Sequence, residues 1–324
     1  MRMSFGRIAA LAVGLLLAAP VPQSSAQTYP ARQIRLVVPF AAGGPADLLA
    51  RVIAAEMSKD LGQQVFVDNR PGANTIIGAD LVAKADPDGY TLLMAIDGTL
   101  VMNPFLYSNL AYDPFKDFAP VSLVADVPSV IEANNNVTAA SVEDIIAAEK
   151  AAPGSLLMGY STPTSQVTAE LLNMRAGIKL TLVPYRGGTT QVTGLLGGEI
   201  QLGLESVNVA LPFARAGKLK VIALTGGSRI ALAPEIPTVA ETLPGFDLGI
   251  WQSIVVPAKT PPAIIDKLHA EIVAVLARDS VRDKLTTQGV QPATSKSPQE
   301  FAAFIHSQAE IRSKVIQAVG IKLN

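Results

Sequence analysis

The chain contains no cysteine, and its only histidines are His269 and His306. The absence of cysteine excludes a disulfide framework, thiolate chemistry and any metal site with sulfur ligands. Two isolated histidines also argue against a histidine-based metal site. Neither histidine lies near the end of an expected strand, so no nucleophile–histidine pair is in place for catalysis. We therefore predict a protein with no metal, no cofactor and no catalytic residue.

Charged residues are scarce, at 16% of the chain, whereas hydrophobic residues make up 49%. That balance is typical of a compact, well-buried protein and not of a disordered one. The 324 residues are enough for two medium-sized domains with real cores. Without residues 1–26, the count is 26 − 2 = 24 basic against 27 acidic residues, a net charge near −3. A nucleic-acid-binding surface leaves a basic footprint, so nucleic acid is not an expected partner.

The N-terminal 26 residues are typical of a secretory signal peptide. Arg2 and Arg7 form a positive start, Ile8–Ala19 is apolar, and small residues end at Ala26. A permanent anchor is the alternative, but the apolar run is shorter than the roughly 20 residues that span a bilayer. No cysteine follows the run, which excludes a lipoprotein anchor. We predict cleavage after Ala26 and export of a soluble protein to the periplasm.

The stretch Val37–Arg51 predicts a strand, a glycine turn and a helix. Ile34–Val38 is apolar enough for a buried strand, and Pro45 suits the first position of a helix. Backbone N–H groups of such a turn have no intrahelical acceptor, and the helix dipole makes the place mildly positive. The turn is therefore a candidate anion site. Its alternative is a turn that needs glycine only for its shape.

A small carboxylate suits this turn better than a phosphate does. Asp47 would compete with a doubly charged anion, and no Gly-x-Gly-x-x-Gly or Gly-Lys-Ser/Thr pattern is present. The spacing of Asp47 and Arg51 favours a local ion pair over a ligand contact. The candidate ligand-binding residues of the turn are Phe40, Ala42, Gly43, Gly44, Ala46 and Asp47.

Strands and helices alternate along the rest of the chain, which predicts α/β architecture with mainly parallel sheets. The alternation breaks over 103–120, which we interpret as connections rich in proline and aromatic residues. A second α/β series begins after an apolar run over 121–133, interrupted by Pro128. Three final helices are expected to pack on the first domain. The predicted domains are 27–125 with 226–324, and 126–225, joined by two crossover strands that form a hinge. The second crossover lies near Thr225 or as late as Trp251.

Polar loops follow the strands of the second series, where ligands bind in open α/β sheets. Thr162, Thr164 and Ser165 offer hydroxyl groups, with helix capping as the alternative role. Arg186 suits a bidentate carboxylate contact, or an ion pair between lobes. Glu205 would repel a dicarboxylate and instead accept from an ammonium or hydroxyl group. The full set of second-domain candidates is Ser161, Thr162, Thr164, Ser165, Arg186, Gly187, Glu205 and Asn208. Phe40 and Trp251 are further candidates for the cleft wall, with hinge core as the alternative for Trp251.

Eight motifs in this order resemble one known family. They are Tyr29-Pro30, 37–47 with Arg51, 68–73, 87–93, Tyr112-Asp113-Pro114 with Asp117-Phe118, 183–188, 237–241 and Trp251. The chain resembles the Bug, or TctC-like, family over essentially its whole mature length. These are periplasmic solute-binding proteins of tripartite tricarboxylate transporters in Gram-negative bacteria.

The resemblance implies a two-lobed, type II periplasmic binding protein of the Venus-flytrap kind, each lobe a mixed, mainly parallel sheet flanked by helices. It implies a small organic carboxylate held between the lobes, with one carboxylate on the turn after the first strand. It also implies delivery to a permease of a large and a small subunit. We expect a monomer. The rivals are a sensor that presents its closed form to a two-component kinase and, in another class, a periplasmic enzyme.

This chain departs from the family pattern at three places. Many relatives have two glycines where Asn74 and Thr75 stand, and a lysine where Arg186 stands. Many also have a Ser-x-Gly-x-Gly sequence, then a His-Leu pair, where this chain has residues 161–165 and Thr168-Ala169. The departures at 74–75 and 161–169 touch expected pocket walls. The ligand of any one relative is therefore not carried over.

Overall fold

The computed structural model describes residues 29–185, 188–287 and 290–322. The predicted signal peptide, Arg186 and Gly187 lie outside these residues. The strands are β1 (Ile34–Val38), β2 (Val65–Asn69), β3 (Thr91–Ile96), β4 (Phe118–Val127), β5 (Ser129–Ala133), β6 (Leu157–Tyr160), β7 (Thr181–Pro184), β8 (Leu202–Ser206), β9 (Lys220–Leu224), β10 (Ile250–Pro257) and β11 (Gln291–Pro292).

The α-helices are α1 (Pro45–Leu61), α2 (Ile76–Ala83), α3 (Asn103–Leu106), α4 (Val142–Ala151), α5 (Pro163–Ala176), α6 (Gly188–Gly197), α7 (Val207–Arg215), α8 (Val239–Thr242), α9 (Pro262–Leu276), α10 (Asp279–Thr286) and α11 (Pro298–Val319). A π-helical turn, Gly98–Met102, precedes α3. Among the helices of the described ranges, none combines the length and apolarity that crossing a membrane requires.

Two mixed sheets form two lobes. The first has the strand order β11-β4-β10-β3-β1-β2, and the second has the order β7-β6-β8-β5-β9. β1 pairs in parallel with β2 and β3, because helical crossovers connect these three strands. β10 returns antiparallel between β3 and β4. The predicted α/β class with mixed sheets flanked by helices is confirmed. Parallel pairing does not dominate, however, because five of the nine strand pairings among the described residues are antiparallel.

The chain crosses between the sheets twice. Pro128 alone separates β4 of the first sheet from β5 of the second, as expected where a proline interrupts an apolar run. The second crossing lies between β9 and β10. Within it, Phe246 and Leu248 are buried in the core of the second lobe, beside Ile222 of β9. The domain boundaries at 125 and 225 stay a prediction.

Helix α11 contacts both lobes. Phe301 and Ile305 near its start pack into the core of the first lobe, against Trp251. Val315 and Ile316 near its end belong to the core of the second lobe. The expectation that the last helices pack on the first domain therefore holds for only part of α11. The interpretation of 103–120 as connection was also wrong at its start, since Asn103–Leu106 is helical with Pro104 in its first turn.

Candidate functional site

A cleft of about 350 Å³ lies between the lobes. The first lobe contributes the turns after β1 and β2 and the segment after β3. The second lobe contributes the loop after β6, and Ile250 of β10 completes the wall. The lining residues are Pro39, Phe40, Ala41, Pro71, Gly72, Ala73, Asn74, Thr75, Ile96, Asp97, Gly98, Met102, Asn103, Thr162, Pro163, Thr164 and Ile250. The loops that follow four strands thus meet in one cleft, as the rule for open α/β sheets anticipates.

The turn after β1 is held in shape by Asp47. The buried Asp47 carboxylate accepts hydrogen bonds from the Gly43 N–H at 2.8 Å, Arg51 Nε at 2.9 Å and Asn69 Nδ2 at 2.9 Å. Burial alone would raise the pKa of Asp47, but these bonds outweigh it and lower the pKa to about 2. The N–H of Gly43 is therefore already used, and Asp47 with Arg51 forms the expected ion pair.

Of the candidates in this turn, only Phe40 lines the cleft, together with Ala41. Ala42, Gly43, Gly44, Ala46 and Asp47 are not among the lining residues. Gly43 has a φ of +86°, which explains a glycine there by backbone shape. A Cβ on Gly44 would meet only the Ala41 carbonyl at 3.6 Å, an ordinary contact. Gly43 therefore shapes the turn, while Phe40 and Ala41 before it face the cleft.

A second turn, 73–76, reaches the cleft from the start of α2. Ala73, Asn74 and Thr75 all have positive φ, at 46°, 49° and 74°, and the Ile76 N–H bonds to the Ala73 carbonyl. Positive φ at both central residues is the signature of a type I′ turn, which glycine adopts far more easily than a β-branched residue does. These are the positions where many family members were expected to have glycine.

Side chains hold this strained turn in place. Thr75 Oγ1 lies 2.8 Å from Thr99 Oγ1 in a buried contact. Asn103 Nδ2 donates to the Asn74 carbonyl at 2.9 Å, and Asn74 Nδ2 donates to the Tyr107 hydroxyl at 2.6 Å. The backbone N–H groups of Asn74 and Thr75 make no hydrogen bond within the described part of the chain. The turn therefore presents free donors at the cleft.

Asp97 follows β3 and is fully buried at the cleft floor. Thr164 of the second lobe approaches its Oδ2 atom at 3.3 Å, and Arg312 of α11 approaches the same atom at 3.7 Å. Burial raises the pKa of Asp97, and Arg312 opposes that effect only in part. Its other oxygen, Oδ1, has no hydrogen-bond partner in the part of the chain that the structure describes. The Asp97 carboxyl group thus lines the cleft and contacts both Thr164 of the second lobe and Arg312 of α11.

The loop after β6 begins α5 with a closed capping box. Thr162 Oγ1 accepts from the Ser165 N–H, and Ser165 Oγ accepts from the Thr162 N–H at 3.0 Å. The Ser161 N–H also donates to Ser165 Oγ, at 3.1 Å. Thr162 therefore has the helix-capping role that was its alternative, and it also lines the cleft along with Thr164. Contact of these residues with a ligand stays a prediction.

The remaining second-lobe candidates lie around or away from the cleft. Ser161, Ser165 and Glu205 line a smaller cavity of about 50 Å³, which shares Thr162, Thr164 and Ile250 with the cleft. Asn208 lines neither cavity. Arg186 and Gly187 lie outside the described residues, so their predicted roles stay predictions.

Glu205 is partly buried and lies near the buried Glu132 in the second lobe. Its Oε1 accepts from the Ser206 N–H at 2.8 Å, whereas its Oε2 has no hydrogen-bond partner among the described residues. Burial, and next the charge of Glu205, raise the pKa of Glu132 to about 7. Gln191 Nε2 lies 3.5 Å from Glu132 Oε1. The wall on this side is thus acidic.

Sequence reasoning missed most first-lobe residues of the cleft. Asp97 was detectable from the strand-end rule, and Asn74 and Thr75 from their departure from the glycine pair. Met102 and Asn103 were not, because their helical turn was interpreted as a connection. Trp251 packs edge-on against Phe301 and Phe304 and is 3% exposed, so it belongs to the core while its neighbour Ile250 lines the cleft.

Comparisons with known proteins agree with this architecture. The model of the tripartite tricarboxylate transporter family receptor (TctC) matches residues 49–321. Protein BugT of Bordetella pertussis is 35% identical over 311 residues, which cover 95% of this chain and 94% of BugT. The structure of R. palustris Rpa4515 with adipate is 33% identical, with a TM-score of 0.75, and covers 91% of this chain and 99% of that one. MatC from Rhodopseudomonas palustris with bound malate is 31% identical, with a TM-score of 0.71. The match covers 89% of this chain and 100% of MatC.

Proposed function

Since the chain belongs to the TctC family of periplasmic solute-binding proteins, we propose that it captures a small organic carboxylate in the cleft between its lobes. The observation that carries the proposal is the cleft itself. Its wall combines the loops at the strand ends of both lobes with Ile250, the first residue of β10. A ligand in this position contacts both lobes at once. It therefore favours the closed arrangement over the open one.

The donors at the cleft support a carboxylate ligand. Free backbone N–H groups of Asn74 and Thr75 in the 73–76 turn suit a single anionic group. Relatives of known structure hold adipate and malate, which places this ligand class within the family.

We further propose that the protein delivers its ligand to a membrane permease of a large and a small subunit, which the description of the family as a transporter receptor supports. Export after removal of residues 1–26 would bring the protein to that permease in the periplasm. We propose a role in transport without catalysis, carried out by a monomer. Turnover of any bound carboxylate by the pure protein would contradict this.

A thermal-shift screen of organic acids tests the proposal. A ligand at 100 times its Kd adds about 2.7 kcal/mol of stability, which raises the midpoint of unfolding by several degrees. We expect at least one carboxylate to give such a shift, and amides of the same skeleton to give none. If no carboxylate in a broad panel shifts the midpoint, the ligand class is wrong.

A further inference from the structure

We propose that the cleft selects an organic acid with a single carboxylate, bound at the first lobe, and rejects a second carboxylate at the wall formed by the loop after β6. This inference rests on the proposed function, because it names the class of acid that the same cleft takes. It differs from the adipate and malate held by the relatives, both of which carry two carboxylates.

The free donors lie on the first-lobe side of the cleft. The backbone N–H groups of Phe40, Ala41, Asn74 and Thr75 make no hydrogen bond to another described residue, although all four residues line the cleft. Neutral donors of this kind bind one carboxylate without a cation. The first lobe is therefore equipped for one anionic group.

Most donors on the opposing wall are already used. The N–H groups of Ser161 and Thr162 both donate to Ser165 Oγ, and the Ser165 N–H donates to Thr162 Oγ1. Pro163 has no N–H group. The hydroxyl of Thr164 donates to Asp97 Oδ2. The capping box thus leaves a single backbone donor at this helix end, the N–H of Thr164, where a second carboxylate would need several.

The charge of the described part of this wall also disfavours a second carboxylate. Glu205 lines the small cavity that adjoins the cleft. None of the described residues that line either cavity is a lysine, arginine or histidine. Arg312 is fully buried behind Asp97, where it already donates to Gln308 and to the Gly249 carbonyl. A carboxylate placed here would meet like charge in a poorly solvated place.

Glu205 is not free to turn away from the cavity. A Cβ on Gly188, the first residue of α6, would lie 1.9 Å from Glu205 Oε2, so the carboxylate packs directly against that backbone. Ser206 holds the other oxygen through both its N–H and its hydroxyl. The negative charge therefore stays beside the loop after β6.

The rest of the cleft wall is apolar and fits the body of a monocarboxylate. Its apolar residues come from both lobes and from β10, and include Pro39, Pro71, Met102, Pro163 and Ile250. Pockets of this kind bind through apolar surface, with a few polar groups that set orientation. The ligand class is an aliphatic or aromatic acid with one carboxylate.

Matched pairs of acids test the inference on the mature full-length protein. Isothermal titration would compare hexanoate with adipate, and benzoate with terephthalate. We expect the monocarboxylate of a pair to bind more than about tenfold tighter than its dicarboxylate, a difference of about 1.4 kcal/mol or more. A dicarboxylate that binds as tightly as its partner, or tighter, overturns the inference but leaves the proposed function standing. If no acid of either kind binds, both fall.

The Glu205→Gln variant tests the charge directly. Removing the carboxylate should raise the affinity for adipate relative to hexanoate by about tenfold. The matched control is Glu235→Gln, at an exposed position away from both cavities, which should leave that ratio unchanged. An unchanged ratio in Glu205→Gln would overturn the part assigned to Glu205. If that variant does not fold, the matched pairs on the parent protein decide the question.

Discussion

The sequence alone left two roles open for Asp47. A carboxylate at the start of a helix beside two glycines was a candidate for ligand contact and for an ion pair with Arg51. In the structure it is 2% exposed and bonds to Gly43, Arg51 and Asn69. The side chain thereby ties α1 to the turn and to β2. Its place is structural, and it fixes the direction in which Phe40 and Ala41 leave β1.

The Asp47→Ala variant should lower the free energy of unfolding by about 1–3 kcal/mol at neutral pH, because it removes a charged acceptor from three donors. Denaturant unfolding would measure the loss. The pKa of Asp47 is lowered to about 2 in the folded protein. Its contribution is therefore present above the ordinary aspartate pKa and disappears as pH falls toward 2. The difference between variant and parent should shrink over that range. Glu310→Ala, in an exposed pair with Lys314, should lower the free energy of unfolding far less than Asp47→Ala does, because solvent screens that pair.

At the scale of the element, the 73–76 turn carries an unusual backbone. Three successive residues other than glycine have positive φ, and each such position costs on the order of 1 kcal/mol. Hydrogen bonds made by the side chains of Thr75, Asn74 and Asn103 offset this cost. Strain of this kind is often kept where a protein must present donors to a ligand. Here it turns the start of α2 toward the cleft.

A double-mutant cycle measures how firmly this turn is held. Thr75→Val keeps the side-chain shape but leaves the buried Thr99 hydroxyl unpaired, and should cost about 1–3 kcal/mol of unfolding free energy. The Thr75→Val and Thr99→Val pair should recover part of the loss, since no hydroxyl is then left unpaired. Purely additive losses would mean that the two hydroxyl groups do not support each other.

The elements were predictable to different degrees. Strand-and-helix alternation predicted β1 to β3, and Pro128 marked the break between β4 and β5, because burial patterns and proline act locally. The turn at 73–76 was not predictable as a type I′ turn, since Asn-Thr lacks the glycine that signals one. The contact of Thr164 with Asp97 was not predictable either, because 67 residues separate the pair along the chain. Local rules give the framework, whereas cross-lobe contacts depend on the assembled fold.

At the scale of the whole molecule, buried charge concentrates where the chain crosses between lobes. Asp126 lies at the end of β4, Asp247 just before β10 and Asp97 after β3, with Arg312 of α11 among them. Burial, followed by the charges of Asp247 and Asp97, raises the pKa of Asp126 to about 6. Three acids and one arginine cannot all stay charged there at low cost. The charge of the hinge region therefore depends on pH.

Stability should fall as pH rises through 6, because the folded state holds a proton on Asp126 that the unfolded chain gives up at lower pH. The contribution is fully present below the ordinary aspartate pKa. Between pH 5 and pH 8 the loss from this one group is about 1 kcal/mol. Asp126→Asn should reduce the slope in denaturant unfolding by that amount and leave the part due to Glu132, whose pKa is raised to about 7. Asp266→Asn, at an exposed position on α9, should keep the full slope. A slope in Asp126→Asn equal to that of the parent would show that Asp126 does not carry the proton.

The helix α11 has a mechanical consequence for the whole chain. Its 22 residues make a rod of roughly 33 Å, with one end embedded in each lobe's core. The core of each lobe includes side chains of α11. A fragment that contains only the second sheet and its own helices would therefore lack part of its core. If either lobe unfolds, the other loses the apolar contacts that α11 makes with it. The two lobes therefore unfold as one cooperative unit, and recombination with a relative must exchange the end of α11 together with the second sheet.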